Sequence, residues 1–376
     1  MRTTPFTPIL QFGTSRFLQA HADLFISQAL EKGEALGKIT VVQTTGSADS
    51  AQRVQALASG AGYPVRIQGA ENSRMVDEAY WSTSIAGALQ AGPDWALIRQ
   101  AIRHDVQAVI SNTGDKGYVL DAADSASCLA AEAPTPRSFP AKLLVLLHDR
   151  WQENPDAPLS LFPCELVSRN GDVLRELIIQ LAAEWGLDTG FAHYLQSACC
   201  WANSLVDRIV SQPIQPVGAI AEPYAIWAIE RQPGLLLPCT HPCVVVTDEL
   251  ERYEQFKLFM LNLGHTWLAE RWLKDGRPEG ETVFQAMNDP LLRGSLEDVW
   301  AREVLPVFAS KGQLAQARDY LASVRDRFLN PFLQHRIADI AQNHEEKKRR
   351  RFLPVVEMAC SISGLEQPRL TGALAD

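Results

Sequence analysis

Residues 9–43 read ILQFGTSRFLQAHADLFISQALEKGEALGKITVVQ, and this stretch decides the fold. Ile9-Leu10-Gln11-Phe12 is a short apolar run that ends at Gly13, as a strand entering a turn does. From Phe17 to Leu30 the apolar residues Phe17, Ala20, Leu24, Phe25 and Ala29 recur at helical spacing. Gly37 breaks that pattern, and Lys38 to Gln43 is a second, β-branched strand. Strand, turn, helix and strand within about 35 residues form a βαβ unit, which belongs in a parallel sheet.

The alternation continues downstream. Asp94–Arg103 reads as a helix and Ala108–Ser111 as a strand ending in Asn112-Thr113-Gly114. Pro140–Trp151 is an apolar helix with proline near its start. Leu159–Glu165 is a strand, Arg169-Asn170-Gly171-Asp172 a turn, and Val173–Trp185 a helix. Strands around Ala219–Trp227 and Cys243–Val246 are expected to extend the sheet. Beyond Thr247-Asp248 nearly all periodicity is helical, over Glu249–Asp275, Thr282–Asn288, Ser295–Val304, Leu314–Phe328 and Phe332–Asn343. The expected architecture is α/β: a Rossmann-like doubly wound sheet domain over residues 1–245, followed by an all-α C-terminal domain over 246–376.

Composition narrows the function. With 35 basic and 44 acidic side chains the net charge is −9, which disfavours nucleic acid or an anionic membrane as partner. No run approaches the ~18 apolar residues of a membrane span. No signal-peptide pattern opens the chain, so a cytoplasmic protein with reduced thiols is expected for its seven cysteines. Cys239, His241 and Cys243 match no standard zinc spacing, and no metal is expected.

Two places carry chemistry. The first is the turn Gly13-Thr14-Ser15-Arg16-Phe17. A dinucleotide fold needs glycines there so that pyrophosphate can approach the backbone; here Gly13 keeps the first position and Ser15 takes the second. Gln43-Thr44-Thr45-Gly46-Ser47 carries no acid for the adenosine ribose directly after the second strand, and Asp49 is the nearest. Arg53 beside it leaves NADP open.

The second is a helix. Lys257, Asn262 and His265 fall at roughly 0°, 140° and 80° around an ideal α-helix, one arc about 140° wide. Their neighbours Phe256, Phe259, Met260, Leu261, Leu263, Trp267 and Leu268 are apolar. By position alone a buried hydrogen-bonded network and an active site fit equally well. Oxidising a secondary alcohol needs a base and hydrogen-bond donors for the alkoxide, and lysine, asparagine and histidine can supply both without a metal. The basic run Lys347–Arg351 reads either as a solvated helix face or as a site for an anionic group.

The Lys-x4-Asn-x2-His pattern resembles the catalytic signature of the polyol-specific long-chain dehydrogenases, the mannitol dehydrogenase family. The stretches Gln11–His21 (QFGTSRFLQAH), Ser111–Tyr118 (SNTGDKGY), Pro163–Asp172 (PCELVSRNGD), Asn203–Ile209 (NSLVDRI), Met287–Leu291 (MNDPL) and Asn330–His335 (NPFLQH) carry the same resemblance in family order. It is nearest to the tagaturonate reductase (altronate oxidoreductase) and fructuronate reductase branches. Leu166 stands where the mannitol enzymes have a substrate-binding asparagine.

The resemblance implies an NAD-dependent oxidoreductase acting on a sugar acid, with Lys257 as general acid/base and Asn262 and His265 polarising the carbonyl. It places Asp207 near the reacting centre, where an ion pair with Arg208 is the plain alternative. Gly13, Ser15, Phe17, Asp49, Asn112 and Thr113 would line the cofactor. Lys347 and His335 would bind the substrate carboxylate, with Arg350 and Arg351 as nearby alternatives. A polyol 2-dehydrogenase and a non-catalytic NAD-binding regulatory protein are the competing readings. Family members usually continue with further helices after Pro368-Arg369-Leu370; the pocket is then more open, or completed by another subunit in a homo-oligomer.

Overall fold

A computed structural model describes residues 7–44, 48–114 and 117–375 of the chain, without the side chains of residues 48 and 49. The strands are β1 (Ile9–Phe12), β2 (Ile39–Gln43), β3 (Tyr63–Glu71), β4 (Arg74–Ser82), β5 (Ile85–Gln90), β6 (Ala108–Ser111), β7 (Leu159–Pro163), β8 (Cys199–Trp201), β9 (Ser204–Asp207), β10 (Val210–Pro213), β11 (Ala219–Ala221), β12 (Ile226–Glu230) and β13 (Val244–Thr247). The chain divides into two compact units. One comprises Met1–Arg66, Ala79–Ala221 and Ala225–Leu250; the other comprises Ile67–Glu78, Glu222–Tyr224 and Glu251–Asp376.

The first unit is built on a parallel sheet in the order β5-β2-β1-β6-β7-β8. β1 pairs with β2 on one side (Ile9 opposite Ile39) and with β6 on the other (Ile9 opposite Ala108). Strand order therefore reverses between β1 and β6, which makes that edge the switch point of a doubly wound sheet. β1, β2, β6 and β7 are buried throughout, which is why they read as apolar runs without alternation. The helix Phe139–Glu153 begins where Ser138 accepts the Ala141 N–H (3.4 Å) and Pro140 sits in the first turn. It buries Leu143 through Leu147 completely.

Several local expectations are corrected. The helix over 17–30 is two helices, Arg16–Gln19 and Ala22–Leu30, broken at Ala20-His21. The Ala20 carbonyl accepts from Arg208 Nη1 (2.7 Å), and buried His21 places Nε2 2.9 Å from the Ile226 carbonyl. The turn 169–172 in fact opens the helix Asn170–Glu184, after Arg169 in a left-handed conformation (φ 51°). A side chain on Gly171 would meet the Ala202 carbonyl at 2.5 Å, so only glycine lets this helix close on the end of β8.

β12 and β13 do not extend the main sheet. They form a separate three-stranded sheet, β13-β12-β9. The Asn170 amide takes both the N–H and the carbonyl of Ser204 (2.9 and 3.0 Å), so β9 leaves the edge of the main sheet as it begins. β11 joins a four-stranded sheet, β10-β11-β3-β4, whose β3–β4 hairpin is absent from the sequence expectations. Its turn, Asn72-Ser73, has φ of 50° and 60°, the mirror-image turn that suits a two-residue hairpin.

In the second unit the chain from Glu251 onward is helical. The helix expected over 249–275 runs Leu250–Phe256, then a π-helical segment Lys257–Asn262, then Leu263–Lys274. A second π-helical segment, Trp300–Val304, links Pro290–Val299 to Leu305–Ser310. The helix expected over 332–343 is only Ile337–Ile340. Before it the chain turns without forming a helix and is tied elsewhere: the His335 carbonyl accepts the Val283 N–H (2.9 Å), and buried Asn330 donates to the Gln68 carbonyl (3.1 Å). Among the described residues no helix is long and apolar enough to cross a membrane.

Candidate active site

At the switch point, Gly13 leaves β1 with φ 115° and donates its N–H to the Val42 carbonyl (3.0 Å). A Cβ there would lie 2.5 Å from the Asn112 carbonyl oxygen at the end of β6. The turn therefore needs glycine for its backbone angle and for its close approach. Ser15 caps the helix Arg16–Gln19, its Oγ accepting the Leu18 N–H (3.2 Å). The hydroxyl proton is left for another acceptor. Phe17 stacks on His21 (4.7 Å, 24°). The Asp49 side chain lies outside the described residues, as do Asp115 and Lys116 of the SNTGDKGY stretch.

The loop after β6 is held from β7. Asn112 Nδ2 donates to the Cys164 carbonyl (2.8 Å). Thr113 donates its N–H (3.0 Å) and hydroxyl (2.9 Å) to Glu165 Oε1. Ser111 and Tyr118 donate to Glu165 Oε2 (3.0 and 3.4 Å). Glu165 is buried, and four donors satisfy it where a lone carboxylate would be costly. Glu165 has no role among the sequence expectations; the signal was an acid directly after an apolar strand, at the mouth of the switch point. Its chain neighbour Leu166 is 78% exposed.

In the second unit, Lys257 is the first and Asn262 the last residue of the π-helical segment. A π turn takes up one extra residue, rotating the rest of the helix back by roughly 100° relative to an unbroken α-helix. Asn262 and His265 then fall at roughly 40° and −20° from Lys257, a narrower arc than the sequence alone suggests. The Asn262 carbonyl accepts from the Thr266 hydroxyl (3.0 Å) and from Arg351 Nη1 (3.2 Å), and Arg351 also donates to Thr266 Oγ1 (2.7 Å).

His265 is buried, stacked on Phe328 (4.4 Å, 26°) and edge-on to His335 (4.8 Å, 67°). Burial holds its imidazole well below the usual range, and His335, Arg327, Arg351 and Lys347 push the same way. His335 is likewise lowered, chiefly by burial. Both rings are neutral at pH 7, so each has one N–H to donate.

The basic run divides by environment. Lys348 is buried against Glu345 (2.9 Å) and Glu270 (3.6 Å), and exposed Arg350 meets Glu346 (3.7 Å). Lys347 instead donates to the Ile340 carbonyl (2.7 Å). Its amine is lowered by burial and by Arg351, while burial and then Arg350 lower Arg351 to about 10. Among the described residues neither Lys347 nor Arg351 has a carboxylate partner, so this pair keeps uncompensated positive charge. Asp207 belongs to the first unit, buried on β9 opposite Ile226.

The Cys239-His241-Cys243 cluster is tied up in hydrogen bonds. His241 Nδ1 accepts the Cys243 N–H (3.1 Å) and Nε2 meets Gln28 Oε1 (2.9 Å), so both ring nitrogens are engaged.

A parallel sheet in this order, with a glycine turn at its switch point, defines a Rossmann-type dinucleotide-binding domain. The chain belongs to the mannitol dehydrogenase family: residues 7–235 match the Mannitol dehydrogenase Rossmann domain and 249–376 the Mannitol dehydrogenase C-terminal domain. The altronate oxidoreductase of Klebsiella pneumoniae is 31% identical, covering 98% of this chain and 78% of its own length. That of Bacillus subtilis is 30% identical, covering 96% and 77%. Among solved structures, a substrate-free D-sorbitol dehydrogenase aligns with a TM-score of 0.78 at 20% identity, covering 94% of this chain and 76% of its own. The Pseudomonas fluorescens mannitol 2-dehydrogenase complex with NAD and D-mannitol aligns at 0.72 and 19%, covering 98% and 78%. These two share the fold.

Proposed function

We propose that this protein is an NAD-dependent oxidoreductase that interconverts a secondary alcohol and a ketone on a sugar acid of the hexuronate/aldonate class. The observation that carries the acid specificity is the pair Lys347 and Arg351 on the helix His344–Arg351, two cations without a carboxylate partner among the described residues, one of which also donates to the Asn262 carbonyl. The relatives named altronate oxidoreductase point to the same class.

Residues 1–245 are assigned to the cofactor and 246–376 to the substrate chemistry. Gly13 and Ser15 suit a pyrophosphate: the turn offers backbone without a Cβ, and Ser15 keeps its hydroxyl proton. Phe17, Asn112 and Thr113 complete the lining, with Asp49 assigned to the ribose. NAD, when bound, accepts the hydride of the alcohol carbon or, reduced, returns it.

The chain's own residues handle the proton and the oxygen. Lys257 takes the hydroxyl proton in oxidation and gives it back in reduction. Asn262 and neutral His265 donate hydrogen bonds to the oxygen as it gains negative charge, and a neutral imidazole does so without adding charge of its own. Asp207, on β9 of the first unit, keeps the role near the reacting carbon that the family resemblance implies. Lys347 and Arg351 bind the substrate carboxylate, and half-buried His335 supports them.

The test is Lys347→Ala with an aldonate and with an uncharged polyol, following NADH at 340 nm. Losing one charge-assisted contact of roughly 1.5–3 kcal/mol raises KM for the aldonate on the order of 10- to 100-fold. The polyol KM should stay within about twofold, because no contact to it is lost. Equal, small effects on both would sink the acid reading in favour of a polyol 2-dehydrogenase. No turnover on aldonates, uronates or polyols, with NADH still bound, would favour a regulatory binder.

A further inference from the structure

Among the described residues the second unit holds two π-helical segments, and a side chain joins them. Trp300, the first residue of the segment Trp300–Val304, is completely buried, and its indole Nε1–H donates to the Met260 carbonyl (3.1 Å). Met260 lies midway through the segment Lys257–Asn262. A buried indole N–H needs an acceptor, and the acceptor here is the main chain of the turn that carries Lys257 and Asn262.

The ring also sets the next turn. A Cβ on Gly264 would lie 2.7 Å from Trp300 Cζ2 and 3.2 Å from Phe328 Cε2, so glycine between Asn262 and His265 is what admits both rings. Phe328 in turn lies 5.8 Å from the Trp300 ring and stacks on His265 at 4.4 Å. Trp300 thus touches the turn between Lys257 and Asn262 and, through Phe328, the ring of His265, without being one of that set. A wide turn is a strained alternative to continuous α-helix, and long-range contacts are what hold it.

We propose that Trp300 is a positioning residue: its indole N–H holds the π turn that sets the rotation of Lys257 against Asn262 and His265. This rests on the assignment of Lys257 as acid/base. Without the N–H, the Met260 carbonyl loses one donor and the turn relaxes toward α-helical register. Lys257 then rotates away from the other two, and a displacement of about 1 Å at a reacting group can cost on the order of 100-fold in rate.

The experiment compares wild type, Lys257→Met, Trp300→Phe and Gly264→Ala. Phenylalanine keeps an aromatic ring and removes the N–H; alanine keeps the N–H and pushes the indole off its seat. The expected result for both is a kcat lower by about 10- to 100-fold with KM and NADH affinity within about threefold. The pH at which kcat rises should move as well, since Lys257 sits in a changed environment. A purely structural tryptophan would lower thermal stability and leave both the pH profile and kcat of the folded fraction unchanged; that outcome overturns the proposal. If Trp300→Phe fails to fold, Gly264→Ala decides alone, and wild-type kcat there also overturns it. An active Lys257→Met would instead sink the functional reading, and the positioning role with it.

Discussion

Two regions, one in each unit, treat charge in opposite ways. At the switch point of the sheet unit, Glu165 takes hydrogen bonds from Ser111, Thr113 and Tyr118, and Asn170 spends its amide on the carbonyls of Pro163, Glu165 and Ser204. That network is closed on itself and makes a rigid frame. In the helical unit Lys347 and Arg351 have, among the described residues, only carbonyls and a hydroxyl to donate to, and His265 is kept neutral beside them. Completed bonds make a frame; uncompensated charge leaves room for an anionic ligand such as the proposed substrate carboxylate.

The largest expected effect breaks the second region and spares the first. Lys257→Met should lower kcat by about 10²- to 10⁴-fold, the usual worth of a general acid/base. NADH affinity, read by fluorescence titration, should stay at the wild-type value; a parallel loss of binding would contradict the division of labour.

Glu165→Ala attacks the frame instead. It strips the Ser111 hydroxyl and the Thr113 N–H and hydroxyl of their acceptor, while Tyr118 keeps the Asn170 carbonyl (3.0 Å), and unsatisfied buried groups cost on the order of 1–3 kcal/mol each before water or rearrangement compensates. A loss of about 2–4 kcal/mol in urea unfolding is expected. NADH binding should weaken at least roughly tenfold as the Thr113 loop loosens. Full stability would show that the frame is not held by this carboxylate.

A smaller effect concerns pH. Burial pushes the Asp23 carboxyl up to about 7 from 3.8, against the lowering effect of the Tyr63 hydroxyl, which donates to it at 3.0 Å. Among the described residues Asp23 Oδ1 and Gln11 Oε1 are both buried acceptors without a donor, and a proton on the acid can serve such a pair. The unfolded carboxyl ionises near 3.8 and the folded one near 7. The stabilisation is therefore complete below 3.8 and lost as pH rises through about 7, with a slope of up to ~1.4 kcal/mol per pH unit. Asp23→Asn should flatten that slope in urea titrations between pH 4 and 7; an unchanged slope would refute it. His241, lowered to about 4 by burial and by Lys32 and Arg208, works the other way. Its contribution is complete above 6.5 and lost as pH falls toward 4, so His241→Gln should improve acid tolerance.

The smallest effect tests the substituted turn. Ser15→Gly restores the second glycine and removes the bond to the Leu18 N–H; replacing a serine cap by glycine costs only a few tenths of a kcal/mol. NADH affinity should stay within about twofold. A large gain would mean that the hydroxymethyl group obstructs the cofactor.

Much of the sheet unit was legible because its signals are local. Ile9–Phe12 ending in Gly13, and Ala108–Ser111 ending in Asn112-Thr113, show buried strands and their turns without reference to distant residues. The β3–β4 hairpin was not legible, because Asn72-Ser73 adopts positive φ at both turn positions without a glycine to announce it. Nor was the break at His21, since an apolar helical period runs straight through it. What stops the helix is Arg208, 188 positions away in the chain.

By itself the sequence determined the α/β class, the glycine turn at β1, and a lysine, an asparagine and a histidine along one apolar helix, because periodicity and spacing act over a few residues. Only the tertiary structure decided where β9 and β12 pair, which cations of the Lys347–Arg351 run stay uncompensated, and that Lys257–Asn262 forms a π turn. Those outcomes go with hydrogen bonds from Asn170, Trp300 and Arg351 to backbone groups far along the chain. No local pattern encodes such bonds, because each exists only once the fold has brought donor and acceptor together.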